Sequence, residues 1–153
     1  MKKTTIIRRL DYSFTSEMVS EISGLIKQIS PSVPDLDKRT LERCLTPPSV
    51  VISATDNNKV VGIIMAVVYW SLSGLKARIE DFSVSAEYRR QGIGESMLYE
   101  LLKTLYAKGT KEVSLSCNPT RHAATILYKK AGFRKPHTNI YYRKTEKNND
   151  IKT

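Results

Sequence analysis

Apolar residues recur along this chain with two spacings, a helical one and an alternating one, and these spacings predict the elements. Met18, Val19, Ile22, Leu25, Ile26 and Ile29 fall at helical spacing behind a Ser16 cap, with Glu17 in the first turn. Ser30-Pro31-Ser32-Val33-Pro34 breaks that helix; Asp35 or Asp37 caps a short second one through Leu45, and Pro47-Pro48 ends it. A third helix begins near Glu95, carries Met97, Leu98, Leu101, Leu102 and Leu105 on one face, and stops at Gly109. A fourth covers residues 120–130. Strands are expected over residues 4–10, 50–54, 60–70, 76–85 and 112–117, with turns at 56–59 and 71–74. Phe133 and residues 139–144 read as two last strands, paired with each other. Strands joined as antiparallel hairpins, followed by a β-helix-β unit, predict an α+β fold: one mixed, mostly antiparallel sheet of about seven strands flanked by about four helices.

Composition adds limits. A chain of 153 residues suits one domain with a usable core; residues 1–145 are expected to form it, with 146–153 as a polar tail. Hydrophobic residues at 41% and charged residues at 26% are ordinary for a globular protein. The longest apolar run, residues 60–70, falls short of the roughly 20 residues a membrane span needs. The start, Met-Lys-Lys-Thr-Thr-Ile-Ile-Arg-Arg, lacks the apolar core of a secretion signal. A cytoplasmic protein without a membrane partner is the expectation. Cys44 and Cys117 make no disulfide framework, and Cys117 reads as a buried strand thiol. No His, Cys and carboxylate set has metal-ligand spacing, so no metal is expected. The net charge of +10 raises nucleic-acid binding as a possibility. The basic residues are scattered, however, and Arg89-Arg90, Lys129-Lys130 and Arg134-Lys135 flank two motifs that suggest another anion.

The first motif is Arg89-Arg90-Gln91-Gly92-Ile93-Gly94, between the strand-like Ala77-Arg78-Ile79-Glu80-Asp81-Phe82-Ser83-Val84 and the helix that opens at Glu95. A helix start leaves backbone N–H groups without partners, and its dipole favours an anion there. Glycines let backbone approach a ligand, and arginines add charge-assisted donors. A βα turn tightened by two glycines is the plain alternative. A dinucleotide fingerprint would need a third glycine, and a P-loop Gly-Lys-Ser/Thr; neither is present. The second motif is Asn118-Pro-Thr-Arg-His-Ala-Ala-Thr-Ile-Leu127-Tyr128-Lys-Lys-Ala-Gly132-Phe133.

Together these motifs resemble the GNAT family of N-acetyltransferases. Arg89, Gly92 and Gly94 match its Gln/Arg-x-x-Gly-x-Gly/Ala loop; Leu127, Tyr128, Gly132 and Phe133 match its Leu-Tyr-x-x-x-Gly-Phe ending; Ile79-Glu80-Asp81-x-x-Val84 matches the strand before the loop. The specific likeness spans residues 79–133. It implies a GNAT fold whose fourth and fifth strands splay apart around acetyl-CoA, the cosubstrate. Phe82, Ser83 and Val84 would edge that opening, with Ser116, Cys117 and Asn118 opposite. A backbone N–H near Val84 would polarise the thioester carbonyl. The pyrophosphate would lie on N–H groups from Arg90 to Glu95, and so over Gln91, Gly92, Ile93 and Gly94, with Arg89 beside it. Asn118 and Arg121 would meet the cofactor arm, although many members carry Asn where this chain has Arg121.

The same resemblance makes Tyr128 the general acid that protonates the departing thiolate, as well as a cofactor contact. A phenol with pKa about 10 can share a proton with a thiol near 8.5. Glu80 is the candidate base, with Asp81 and a water chain as alternatives. Strict alternation puts Glu80, Phe82 and Val84 on one face and Ile79, Asp81 and Ser83 on the other. His122 reads as a surface residue and His137 as a loop residue near the acceptor. Residues 29–45, the turn at 71–74 and residues 135–139 would form the acceptor pocket, where Asp35, Asp37 and Glu42 would attract an ammonium and Tyr69, Trp70, Tyr141 and Tyr142 would cover an apolar group. The leading expectation is an N-acetyltransferase acting on a small-molecule or protein amine, with a homodimer as an allowed assembly. A non-catalytic GNAT-fold module that binds acyl-CoA is the alternative. A nucleic-acid-binding domain is disfavoured, for want of a recognised motif.

Overall fold

The computed structural model describes residues 5–143. In chain order the elements are β1 (Ile6–Arg9), α1 (Ser16–Lys27), α2 (Lys38–Leu45), β2 (Val50–Asp56), β3 (Lys59–Ser71), β4 (Gly74–Val84), a short 3-10 turn (Ala86–Tyr88), α3 (Ile93–Ala107), β5 (Glu112–Leu115) and α4 (His122–Lys130). The strands form one sheet in the order β1-β2-β3-β4-β5. The first four pair antiparallel, and β5 runs parallel to β4 after the α3 crossover.

Apolar alternation along β2 and β3 supplies both faces of the sheet. On one face Val50, Ile52, Ile64, Ala66 and Ile79 pack under Met97, Leu98, Leu101 and Leu105 of α3. On the other, Val51, Val60 and Ile63 pack under Val19, Ile22 and Leu25 of α1 and Leu41 and Leu45 of α2. Burying a Leu or Ile side chain of this kind contributes about 1.5–3 kcal/mol. Gly62 permits the close approach of α3: a Cβ there would stand 2.7 Å from the Met97 sulfur.

Several boundaries move for identifiable reasons. Thr15, not Ser16, caps α1, its side chain accepting from Met18 N at 3.3 Å. Asp37, not Asp35, caps α2, accepting from Thr40 N at 2.7 Å. The third helix begins at Ile93 rather than Glu95, because Gly92 takes the cap position at φ 78.

Two expectations about the sheet are corrected. Among the described residues the sheet has five strands, not about seven. Neither Phe133 nor residues 139–143 form a strand; residue 144 lies outside the described residues. Pro136 has no N–H to donate to a ladder, and Ile140, Tyr141 and Tyr142 are consecutive exposed apolar residues, a pattern that offers no single face to bury. The second correction concerns β4. Ile63 pairs with Ser83 and Met65 with Glu80, so Ile64 alone opposes both Asp81 and Phe82. This is a β-bulge, and Asp81 adopts φ 48 within it. The extra residue breaks the period of two. Glu80 and Ser83 now share the face of α1 and α2, opposite Met65 and Ile63, whereas Phe82 and Val84 pack with the core under α3.

Candidate active site

The parallel ladder between β4 and β5 ends at Ile79 and Leu115. Beyond it β4 runs on to Val84, while residues 116–118 leave the sheet. A cleft of about 860 Å³ opens in this fork. Glu80, Asp81, Phe82 and Val84 line it from β4, and Ser116, Cys117 and Asn118 line it from the other branch. Arg89, Arg90, Gly92, Ile93, Gly94 and Glu95 close one end, and Arg121, Leu127 and Tyr128 of the α4 region cover it. Ile29 and Ser30, just after α1, complete the wall.

At the loop end the helix start has no side-chain cap, and Arg90 and Gly92 both adopt left-handed backbone, at φ 60 and 78. The first N–H groups of α3 therefore face the cleft with no intrahelical partners. Struts hold the loop in place. Arg89 Nε donates to Val84 O at 3.1 Å and its Nη2 to Gln28 Oε1 at 2.8 Å, which ties the loop to β4 and to the end of α1. The Tyr88 hydroxyl donates to Asp56 Oδ2 at 2.9 Å, with both residues buried. Gln91 donates to Glu87 O at 3.1 Å. Lys130 of α4 pairs with Glu95 of α3 at 2.6 Å and joins the two helices that flank the cleft.

At the fork, Tyr128 stands between Phe82 and Phe133, with ring centroids 6.3 and 5.9 Å away. Burial, and after it the nearby Cys117, push its phenol up to about 12, against a smaller pull down from Arg121. The hydroxyl therefore carries its proton at any working pH. Arg78 Nε donates to Glu80 Oε1 at 2.6 Å, and Arg78 Nη2 donates to Ser116 Oγ at 2.7 Å, so this guanidinium bridges the base of the fork. Burial and the adjacent Glu80 raise the Asp81 carboxyl. Burial and Asp81 in turn raise the Cys44 thiol of α2.

Of the residues singled out from sequence, Tyr128, Glu80, Phe82, Val84, Arg89, Arg90, Gly92, Ile93, Gly94, Glu95, Asn118 and Arg121 all meet in the cleft. Ser83 and Gln91 do not line it: Ser83 lies on the face opposite Phe82 and Val84, where it is buried, and Gln91 points back along its own turn. Cys117 lines the cleft and is half-buried, not a core strand thiol, because β5 stops two residues earlier. The expected acceptor residues are otherwise engaged. Asp35 pairs with Lys27, Asp37 caps α2, and Glu42 sits 3.9 Å from Lys38. The turn at 71–74 lies at the far end of β4 from the fork, and neither His122 nor His137 lines the cleft. Ile29 and Ser30 are the part of the expected acceptor segment 29–45 that lines the cleft, and sequence reasoning missed the Arg78–Ser116 bridge, which only the tertiary fold brings to the fork. It also missed the bulge, for which an aspartate inside an apolar strand was the available signal.

The fold and the fork define an α+β acyltransferase-like domain, and the comparisons agree. The chain belongs to the acetyltransferase (GNAT) family, whose model matches residues 17–133. It is similar to N-acetyltransferase family 8 member 3 of Mus musculus, 37% identical over 59 residues, which cover 39% of this chain and 26% of that protein. It is also similar to the mycothiol acetyltransferase of Clavibacter sepedonicus, 26% identical over 111 residues, covering 72% of this chain and 35% of that protein. The chain thus spans about a third or less of the length of these curated relatives. Among solved structures, the aminoglycoside N-acetyltransferase AAC(6')-Iy in complex with CoA superposes with a TM-score of 0.77 at 20% identity, covering 94% of this chain and 97% of that one. No helix among the described residues is long and apolar enough to cross a membrane.

Proposed function

We propose that this chain is an acetyl-CoA-dependent N-acetyltransferase that moves the acetyl group to a primary amine by direct attack in a ternary complex. The observation that carries this reading is the continuous path from an uncapped helix start, through the β4–β5 fork, to a half-buried protonated phenol. The residues present suit the cosubstrate part by part. The free N–H groups at Ile93, Gly94 and Glu95, with Arg90, suit a pyrophosphate. The strand edges beyond Ile79 and Leu115 have no ladder partner in each other, and suit the amide-bearing arm as an added strand.

The chemistry follows from the side chains at the fork. The bulge takes backbone out of the ladder near Phe82, freeing an N–H that can meet the thioester oxygen as it gains charge. Tyr128 supplies the proton that the departing sulfur needs. The amine enters from the side of α1 and α2, where Glu80 and Asp81 are the nearby carboxylates. Two free thiols suit a reducing, cytoplasmic compartment. The test is a thermal melt with acetyl-CoA, desulfo-CoA and ADP. Saturation at 100 times the dissociation constant adds about 2.7 kcal/mol, a shift of several degrees for a chain of this size. No shift at millimolar acetyl-CoA would refute the reading.

A further inference from the structure

Two carboxylates stand side by side at the fork, and they differ in what holds them. Glu80 is already engaged. Its Oε1 accepts from Arg78 at 2.6 Å, and the same guanidinium holds Ser116 at 2.7 Å, so the side chain is one arm of a brace across the fork. Taking a proton would cancel the charge that Glu80 offers Arg78 and weaken the brace. Asp81 has no such bond to lose. It is the extra residue of the bulge, it lines the cleft, and among the described residues its carboxylate takes no hydrogen bond and no ion pair. Its left-handed backbone, φ 48, suits an aspartate better than most residues.

On the strength of the acetyl-transfer reading, we infer that Asp81, not Glu80, takes the proton from the incoming amine, that the acceptor binds as its ammonium ion, and that Glu80 is a positioning residue. The ionisable groups that face Asp81 are Glu80 on its own strand and Cys44 on α2. Burial and the Glu80 charge make it a stronger base than an open aspartate, which suits a proton acceptor working near neutral pH, while the Cys44 thiol, itself pushed up, stays neutral there. Asp81 first takes one proton from the ammonium and passes it to solvent. The neutral amine then attacks the thioester carbon, forming the C–N bond. Asp81 takes the second proton from that nitrogen as the C–S bond breaks, and the sulfur takes the Tyr128 proton. The proton on Asp81 returns through solvent to Tyr128. The products are an amide and a thiol, with one proton released per turnover.

The test compares Asp81→Asn and Glu80→Gln on the full chain. Asparagine also tolerates the left-handed region, so the bulge survives the change. Wild-type protein is first assayed for thiol release from acetyl-CoA with a panel of primary amines: hexylamine, benzylamine, glucosamine and an alanine-led peptide. The best of these is then compared with methoxyamine, which is already neutral at pH 7 and needs no proton removed before attack. D81N is expected to lose roughly 10²-fold in kcat with the alkylamine, to lose the acidic limb of its pH profile, and to lose under tenfold with methoxyamine. E80Q is expected to lose under tenfold with both. Equal kcat for D81N and wild type, or a larger loss in E80Q than in D81N, overturns the assignment. An equal loss of D81N on both nucleophiles also overturns it, since a merely structural role would not distinguish them. A wild-type protein that binds acetyl-CoA and turns over no amine in the panel rejects an ammonium acceptor. Failure to bind acetyl-CoA at all refutes the underlying acetyl-transfer reading.

Discussion

Replacing Tyr128 with phenylalanine removes one oxygen and leaves the ring where it is. The ring is held by Phe82 and Phe133, with centroids 6.3 and 5.9 Å away, and both contacts survive the change. The structure gives the hydroxyl no hydrogen bond to break among the described residues. The folded state should therefore change by no more than about 0.5 kcal/mol, while the thiolate loses its proton donor. General acid catalysis of this kind is worth roughly 10²-fold or more, or about 2.7 kcal/mol of barrier. Steady-state thiol release should show kcat down by that factor, with acetyl-CoA affinity nearly unchanged by thermal shift. The pH behaviour gives an independent check. A phenol pushed up to about 12 stays protonated in the fold while the unfolded chain ionises near 10. The stability it contributes is complete below pH 10 and drains away as pH rises toward 12. Chemical denaturation between those values should fall more steeply in wild type than in the variant. A kcat within threefold of wild type would refute the acid role, whatever the melts show.

Tyr88→Phe tests the strut under the loop proposed to hold the pyrophosphate. Tyr88 is 9% exposed and its partner Asp56 4%, so loss of the hydroxyl strands a buried carboxylate oxygen. The expected cost is about 1–3 kcal/mol, read as a lower Tm, with acetyl-CoA affinity falling more than kcat. Gly92→Ala meets no atom within 4 Å but must hold φ 78, which costs an L-residue about 1–2 kcal/mol. Calorimetric titration should show weaker acetyl-CoA binding, and unaltered stability and affinity together would refute the role assigned to this helix start.

The helices and the order of strands were readable because burial is periodic: Met97, Leu98, Leu101 and Leu105 mark the inner face of α3, and each is fully buried. The loop ahead of α3 was readable as a helix start because its signal is local, a glycine cap with two arginines in front of it. What escaped lies where distant segments meet. Arg89 was read as a phosphate donor, yet its guanidinium also braces Gln28, 61 residues earlier in the chain, a partner no local pattern could name. The faces of β4 were misassigned because a period of two assumes one residue per opposing residue, and Ile64 faces two. The consequence is chemical as well as topological. With strict alternation, Glu80 would look toward Phe82 and the cofactor side, and Asp81 would look away. With the bulge, Phe82 goes to the α3 side and Glu80, bonded to Arg78, stays on the side of α1 and α2, while Asp81 lines the cleft without a partner. An aspartate is costly in a strand and tolerable at positive φ, so a residue ill suited to β4 by propensity stands where the strand bulges at φ 48, and the misfit between residue type and element marks the fork.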